Sequence, residues 1–264
     1  MFRLAAAIAT LFAAPALASQ CIQLAGDPTA RIWQASLAPG EVRIVYVDHS
    51  AFRIETDQGR VAVTDYYGSA GPGKTPDAVT MNHAHSSHWT PFPDPDIQNV
   101  LKGWGDGETP ADHWVELDDL LIRNVPTDIR SFSGGTEAFG NSIFIFAYEG
   151  LCIGHLGHLH HVPTESHFGR IGRLDVVMAP VDGGMTLPIK DMLTVVNRLK
   201  SRIVIPMHAF SSFSLAEFIK GLSSDFKVDL EPKTELVISA ATLPAEPTLM
   251  ILSPQGFGPG FGDD

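Results

Sequence analysis

The chain has 264 residues and a formal net charge of −12 at neutral pH; 44% of its residues are hydrophobic and 18% charged. That balance belongs to a globular protein and excludes a disordered or fibrous one, while the length suits one large α/β domain. The acidic surplus argues against a nucleic acid or an anionic lipid surface as partner, because phosphate binding needs clustered lysine and arginine, and Lys200 with Arg202 is the nearest approach to a cluster.

The first segment reads as a targeting leader. Arg3 supplies a positive start, Leu4 to Leu17 is a short apolar run, and Ala16-Leu17-Ala18 forms an A-x-A cleavage site. Residues 1–18 are therefore expected to be a signal peptide and 19–254 the folded domain, with 255–264 a glycine-rich tail. A periplasmic or secreted protein follows, with no membrane insertion once the leader is cleaved. Loss of Arg3, the only charge in residues 1–18, moves the net charge from −12 to −13. An oxidising compartment would permit Cys21 and Cys152 to pair, although spacing alone does not bring them together.

Further along, Val42-Ile44-Tyr46, Phe52-Ile54 and Val61-Val63 alternate as three short strands. Asp65 to Pro76 reads as a loop, and Ala78 to Met81 as a buried strand. Within 89–113 the prolines leave Ile97 to Trp104 as the one plausible helical turn. Strands are expected over Trp114–Arg123, Asp128–Phe132, Ser142–Tyr148 and Leu151–Gly154. Helices then alternate with buried strands: Thr164 caps a helix around Ile171, Leu174–Met178 is a strand, and Ile189–Leu199 has helical periodicity. Ile203–Ile205 is a strand, and Leu215–Leu222 a helix with Ser214 as its cap. Strand-rich halves interleaved with helices imply two sheets with helices outside.

Histidines gather where strands end. His83, His85 and His88 lie within six positions after the Ala78–Met81 run, and His155, His158, His160 and His161 fall within seven after another apolar strand. His208 closes the buried segment Ile205-Pro206-Met207. Neutral imidazoles suit zinc, copper, nickel and iron, and strand ends are where an open α/β architecture collects its site.

These segments together resemble the metallo-β-lactamase superfamily, in its branch of ascorbate-phosphate-lactonase-like hydrolases. His83-Ala84-His85-Ser86-Ser87-His88 is similar to the family's HxHxDH signature. Val47-Asp48-His49-Ser50, Thr64-Asp65, His155-Leu156-Gly157-His158, Ala179-Pro180-Val181-Asp182-Gly183-Gly184 and Ile205-Pro206-Met207-His208 follow in the family's order. The resemblance implies a single-domain, four-layered αββα sandwich with metal at one edge. Three departures stand out: Ser87 and His158 replace family aspartates, and Ser133 stands near the place of a family histidine. Without two negative charges to offset the repulsion between two cations, one firmly bound ion is expected rather than two.

The metal ligands implied are His83, His85, His88, His158 and His208, either as His83, His85 and His158 or as the competing set His88, His158 and His208. Zinc is the first expectation, with iron or copper also suited to imidazole. Asp65 and Asp182 are the candidate catalytic carboxylates, Asp65 by orienting a ligand histidine and Asp182 as a proton acceptor or a turn residue. His155 and His161 match family positions that line or support the pocket, His49 matches a buried structural histidine, and His160, His113 and His167 read as surface residues. Tyr66, Tyr67, Trp89, Phe92 and Trp104 either rim the pocket or pack its long loop. The implied activity is hydrolysis of a small ester, lactone, amide or phosphoester by metal-activated water. A metal- or ligand-binding protein that has lost hydrolysis, or a histidine-ligated iron or copper redox protein, is the alternative.

Overall fold

The computed structural model describes residues 37–83, 85–131 and 133–255. The segment expected to be a leader, Cys21 and nearly all of the expected tail therefore lie outside the described residues. The first alternating segments form β1 (Val42–Asp48), β2 (Ala51–Thr56) and β3 (Val61–Val63), followed by β4 (Ala78–Met81). β5 (Asn99–Lys102) occupies the stretch expected to be a helical turn. It pairs in parallel with β4, and period-two alternation prevails there: Leu101 faces the interior while Val100 faces outward.

A meander follows in β6 (Trp114–Leu117), β7 (Leu120–Arg130), β8 (Thr136–Tyr148) and β9 (Leu151–His155). The turn at Asp118 and Asp119 splits the strand expected over Trp114–Arg123, and β8 begins six residues earlier than its apolar run, because β7 supplies ladder partners back to Thr136. Then come α1 (Glu165–Ile171), β10 (Val176–Pro180), α2 (Ile189–Leu199), β11 (Ile203–Met207) and α3 (Ser212–Leu222). Thr164 caps α1 in a reciprocal capping box with His167, so His167 has a structural role that its surface position did not advertise. Ser211, not Ser214, caps α3: its side chain accepts from the Ser214 N–H. The chain ends in β12 (Lys227–Lys233), β13 (Glu235–Ile238) and β14 (Thr248–Leu252).

These strands make two sheets. One has the order β13-β1-β2-β3-β4-β5, the other β12-β14-β11-β10-β9-β8-β7-β6. Val42, Ile44, Phe52 and Ile54 from the first meet Phe144, Phe146, Ile153, Met178 and Ile205 from the second, all fully buried. Each such side chain contributes about 1.5–3 kcal/mol by leaving water. β10 and β11 pair in parallel and are buried along their whole length. Their crossover helix α2 lays Met192, Val195 and Val196 onto Val177 and Val204, and α1 and α3 cover the same face through Ile171, Phe218 and Leu222. Among the described residues the opposite outer face, over the six-stranded sheet, is covered by loops. Tyr66, Trp89, Ile97 and Trp104 pack there on Val63, Val79 and Met81, so three of the aromatic residues near the first histidine cluster hold the loops down. Fully buried Arg53 ties that layer to β2 by donating to the carbonyls of Ala70 and Lys74.

Candidate metal centre

Strand direction decides which residues meet. β2 runs antiparallel to both β1 and β3, and β3, β4 and β5 run together, so β1, β3 and β4 all end at one edge of their sheet. His49, Asp65 and the Asn82–His88 loop follow those ends. In the facing sheet β9, β10 and β11 are mutually parallel, and His155, Asp182 and His208 lie at or just after their carboxyl ends. The two edges close over one pocket. His49, Asp65 and His208 each have a left-handed φ, of 50°, 42° and 57°. Such backbone is costly for residues with a Cβ and here turns the chain at three of the pocket's corners.

Two carboxylates orient two imidazoles. Asp65 is fully buried; its Oδ2 accepts from His88 Nδ1 at 2.5 Å and its Oδ1 from Asn82 Nδ2 at 2.8 Å. Asp182 Oδ1 accepts the backbone N–H groups of Gly184, Met185 and Thr186, and its Oδ2 accepts from Thr186 Oγ1 and, at 3.0 Å, from His208 Nδ1. Burial pushes the Asp65 carboxyl up, but the imidazoles of His88 and His155 and the hydrogen bonds it accepts outweigh that and hold it at about 2. Asp182 is likewise driven far below the carboxylate range: burial opposes ionisation, and the bonds from His208, Thr186 and the turn amides overcome it. Both are therefore ionised and fix the Nδ1 protons of their histidines. With every bond of Asp182 committed, it serves both its turn and His208.

The consequence lies on the other side of each ring. His88 Nε2 and His208 Nε2 face each other at 3.2 Å. Each ring spends its proton on a carboxylate, so two lone pairs point at one another, an arrangement that wants a cation between them. The separation is close to the roughly 3.3 Å between two imidazole nitrogens held at about 2.0–2.1 Å by one tetrahedral zinc ion. Ligand atoms of His49, His85, His88 and His208 all lie within 4.8 Å of one another. This set of nitrogen donors fits a transition metal.

Burial and mutual repulsion favour the neutral form of His49, His85 and His208. Burial, then the neighbouring imidazoles His208, His88 and His85, lowers His49 to about 3; burial, then His88 and His208, lowers His85 to about 4. Burial also pulls His208 down, against the opposing pull of Asp182. Neutral imidazoles are the ligating form.

The sequence-derived candidates separate here. His85, His88, His158 and His208 are brought together, the His158 ring lying 4.7, 4.8 and 4.9 Å from those of His85, His88 and His208. His83 is not among them: its side chain is 42% exposed, pairs with Glu137 Oε1 at 3.1 Å and stacks on Trp104. His49, which the sequence suggested was structural, stands in the group instead. Ser87 Oγ lies between His49 Nε2 (2.9 Å) and His85 Nδ1 (2.7 Å), so the residue in place of a family aspartate positions two imidazoles. Ser133 is exposed and bonds to Ser131. His155 is fully engaged, with Nε2 on the Ser50 carbonyl and Nδ1 accepting the Gly157 N–H. His160 is a correction: it is buried and bonded to His158 at 2.6 Å rather than lying at the surface. Its spacing of two from His158 was the one signal in the sequence that the two rings could share a side.

Buried amides that no motif singled out hold the frame. Asn82 joins Asp65 to the Ser142 N–H of the other sheet, and Asn141 accepts the His158 N–H while donating to Thr127. Gly157 sits between them with φ +60, where a Cβ would fall 2.4 Å from Asn141 Oδ1 and 2.5 Å from Asn82 Nδ2. Gly157→Ala is expected to destabilise the fold by about 2–4 kcal/mol, from left-handed strain plus overpacking, as read by urea unfolding. An unchanged midpoint would show that the amide frame yields.

The likeness to known proteins follows the same elements. A profile of the Beta-lactamase superfamily domain matches residues 43–208, from β1 to the last of the site histidines. The chain is 24% identical over 224 residues to a UPF0173 protein of Pyrococcus furiosus, a match covering 78% of this chain and 98% of that one. It is 28% identical over 192 residues to a UPF0173 metal-dependent hydrolase of Pyrococcus abyssi, covering 63% and 84%. Among solved structures it resembles a proposed zinc-dependent hydrolase of the metallo-beta-lactamase superfamily from Thermotoga maritima, at 25% identity and a TM-score of 0.58 over 81% of this chain and 100% of that one. A metallo hydrolase of Ignicoccus hospitalis shares the fold at 20% identity and a TM-score of 0.55, over 75% and 99%. Since the profile spans more than half of the chain and carries both histidine-bearing edges, the protein belongs to the metallo-β-lactamase superfamily.

Proposed function

We propose that the protein is an exported metal-dependent hydrolase that holds one divalent ion, zinc in the first place, through Nε2 of His85, His88 and His208. The supporting observation is the pair of opposed lone pairs on His88 and His208, each set by a buried carboxylate. When bound, such an ion acts as a Lewis acid, lowering the pKa of water to about 7 and polarising the bond to be cleaved. The chain's own residues do the rest. Asp65 and Asp182 hold the rings in register, Ser87 steadies His85, and His49 closes the side of the pocket beside His208. Phe210 packs against the rings of His49 and His208 while remaining 55% exposed, and Met185 is exposed in the turn that Asp182 organises. An apolar lip of this kind suits a small substrate with an apolar group beside an ester, lactone, amide or phosphoester. The leader-like sequence of residues 1–18 supports a periplasmic or secreted location.

The test is metal analysis of the protein as isolated, with turnover on a panel of activated esters, lactones and phosphodiesters. Hydrolysis of at least one class should be abolished by a chelator, restored by zinc and absent from His88→Ala. If no substrate is turned over faster than by that variant, the hydrolase reading falls and metal binding alone remains.

A further inference from the structure

The loops that leave β9, β10 and β11 form one wall of the pocket, and their apolar side chains are of two kinds. The three strands pair in parallel, so the loops emerge side by side. They are also stitched together: the Leu187 N–H donates to the Leu159 carbonyl, the Val181 N–H to that of Met207, and Asp182 accepts from His208 Nδ1. Leu159 and Leu187 turn inward and are buried in the core. Val162, Met185 and Phe210, one from each loop, turn outward and are 41%, 55% and 55% exposed. Single exposed apolar residues are ordinary on any surface, but these three share one rim, and one of them reaches the site. The Phe210 ring centroid lies 4.6 Å from that of His208 and 5.1 Å from that of His49. The same loops are poor in charge. Residues 156–164, 181–188 and 208–214 hold no lysine or arginine, and their one carboxylate, Asp182, is occupied by His208, Thr186 and the turn amides. Arg130 leans across them as a strut, its guanidinium donating to the carbonyls of His160, Gly184, Met185 and Thr186.

We propose that this wall selects the substrate: the protein hydrolyses neutral carboxylic esters whose apolar arm lies across Phe210 and runs toward Met185 and Val162. The proposal rests on the hydrolase reading above and narrows it, setting phosphoesters aside. An aliphatic or aryl arm gains by leaving water against Phe210, and the flexible thioether of Met185 adapts to arms of different length. A phosphoester brings a negative charge that calls for an arginine or lysine partner, and these loops supply none. Such an anion would also approach a chain whose formal net charge is −12. The reaction is a simple exchange. The oxygen of water bonds to the acyl carbon, the bond from that carbon to the alkoxy oxygen breaks, one proton of the water goes to the departing alkoxy oxygen, and the other is released from the acid. Phe210 and Met185 take no part in it; they hold the arm so that the ester group falls beside His208.

Two measurements test it. The first compares kcat/KM of the zinc-loaded protein over two ester series, one lengthening the acyl arm from acetyl to hexanoyl and one the alkoxy arm from methyl to hexyl, with a phosphodiester beside them. In one series kcat/KM should rise about twofold per methylene, as for an arm covered on one side only, or about fifteenfold over four methylenes. Phe210→Ala should cut that ratio to about threefold or less, and Phe210→Leu should restore most of it. Zinc affinity in Phe210→Ala should stay well inside the roughly 10–100-fold loss that removing a ligand-orienting group brings. Leu230→Ala, an exposed apolar position on β12 away from the pocket, should leave the ratio as it is. The second measurement needs no metal: the methionine methyl signals of the metal-free protein are followed while 2-octanone or acetone, unreactive carbonyl probes, is added. The Met185 signal, assigned with Met185→Leu, should move with 2-octanone and not with acetone, and should stay still in Phe210→Ala. Flat ester series, a rise that survives in Phe210→Ala, preference for the phosphodiester, or a motionless Met185 signal would each overturn the proposal while a metal-dependent hydrolase stands. If nothing is hydrolysed, the hydrolase reading itself falls and this proposal with it.

Discussion

His208→Ala should lower zinc affinity on the order of 100-fold and reduce hydrolysis to the chelated background. The magnitude follows from dividing the roughly 10–16 kcal/mol of a four-ligand zinc site among its donors, which leaves about 3 kcal/mol for each. His208 is delivered by β11 with a left-handed φ of 57°, and its Nε2 is the group that opposes His88 across 120 residues of sequence. The fold should survive the change, because Asp182 keeps the Thr186 hydroxyl and three turn amides as partners. Competition with a chromophoric chelator measures the affinity, and circular dichroism checks the fold. An affinity unchanged in a folded variant would place the ion elsewhere and dissolve the site described here.

Asp65→Asn should weaken the ion 10–100-fold without touching any ligand. Asp65 receives two donors, His88 Nδ1 and Asn82 Nδ2, and is fully buried. An asparagine can offer one oxygen to one of them, and its own N–H groups must face the other. The least costly relief moves the His88 proton to Nε2, which consumes the lone pair aimed at His208. Asp65→Ala is the harsher variant: it strands buried polar partners and should cost about 3–5 kcal/mol of stability in urea unfolding. If Asp65→Asn binds zinc like the parent, the carboxylate is a strand-end cap and does not set the tautomer of His88.

Much of the frame was legible because short-range physics wrote it. Alternation of apolar residues marked β1, β2 and β3; continuous apolar runs marked β10 and β11, as burial on both faces requires. Thr164 announced its helix through its hydroxyl. Where the reading failed, a distant partner had overridden a local preference. Asn99–Lys102 is a strand because β4 offers it a parallel ladder, and β8 extends to Thr136 because β7 accompanies it that far. Ser211 and Ser214 are equally good caps in isolation, and the start of α3 decided between them. β12, β13 and β14 had no pattern strong enough to stand out: β12 is largely exposed, and β13 is recruited by β1 in the other sheet.

By itself the sequence determined the superfamily, the two-sheet architecture and the fact that histidines would cluster at strand ends, since these depend on residue type, order and periodicity. It could not say which imidazoles face inward. His83 and His85 are two positions apart and chemically the same, yet Glu137 and Trp104 draw one ring out while His158 and Ser87 hold the other in. His49 joins the centre because its backbone turns left-handed between β1 and β2. Tertiary structure alone decided the protons as well. A ring's tautomer is set by whatever its far nitrogen meets, and here the partners are Asp65 and Asp182, lying 23 and 26 residues from His88 and His208.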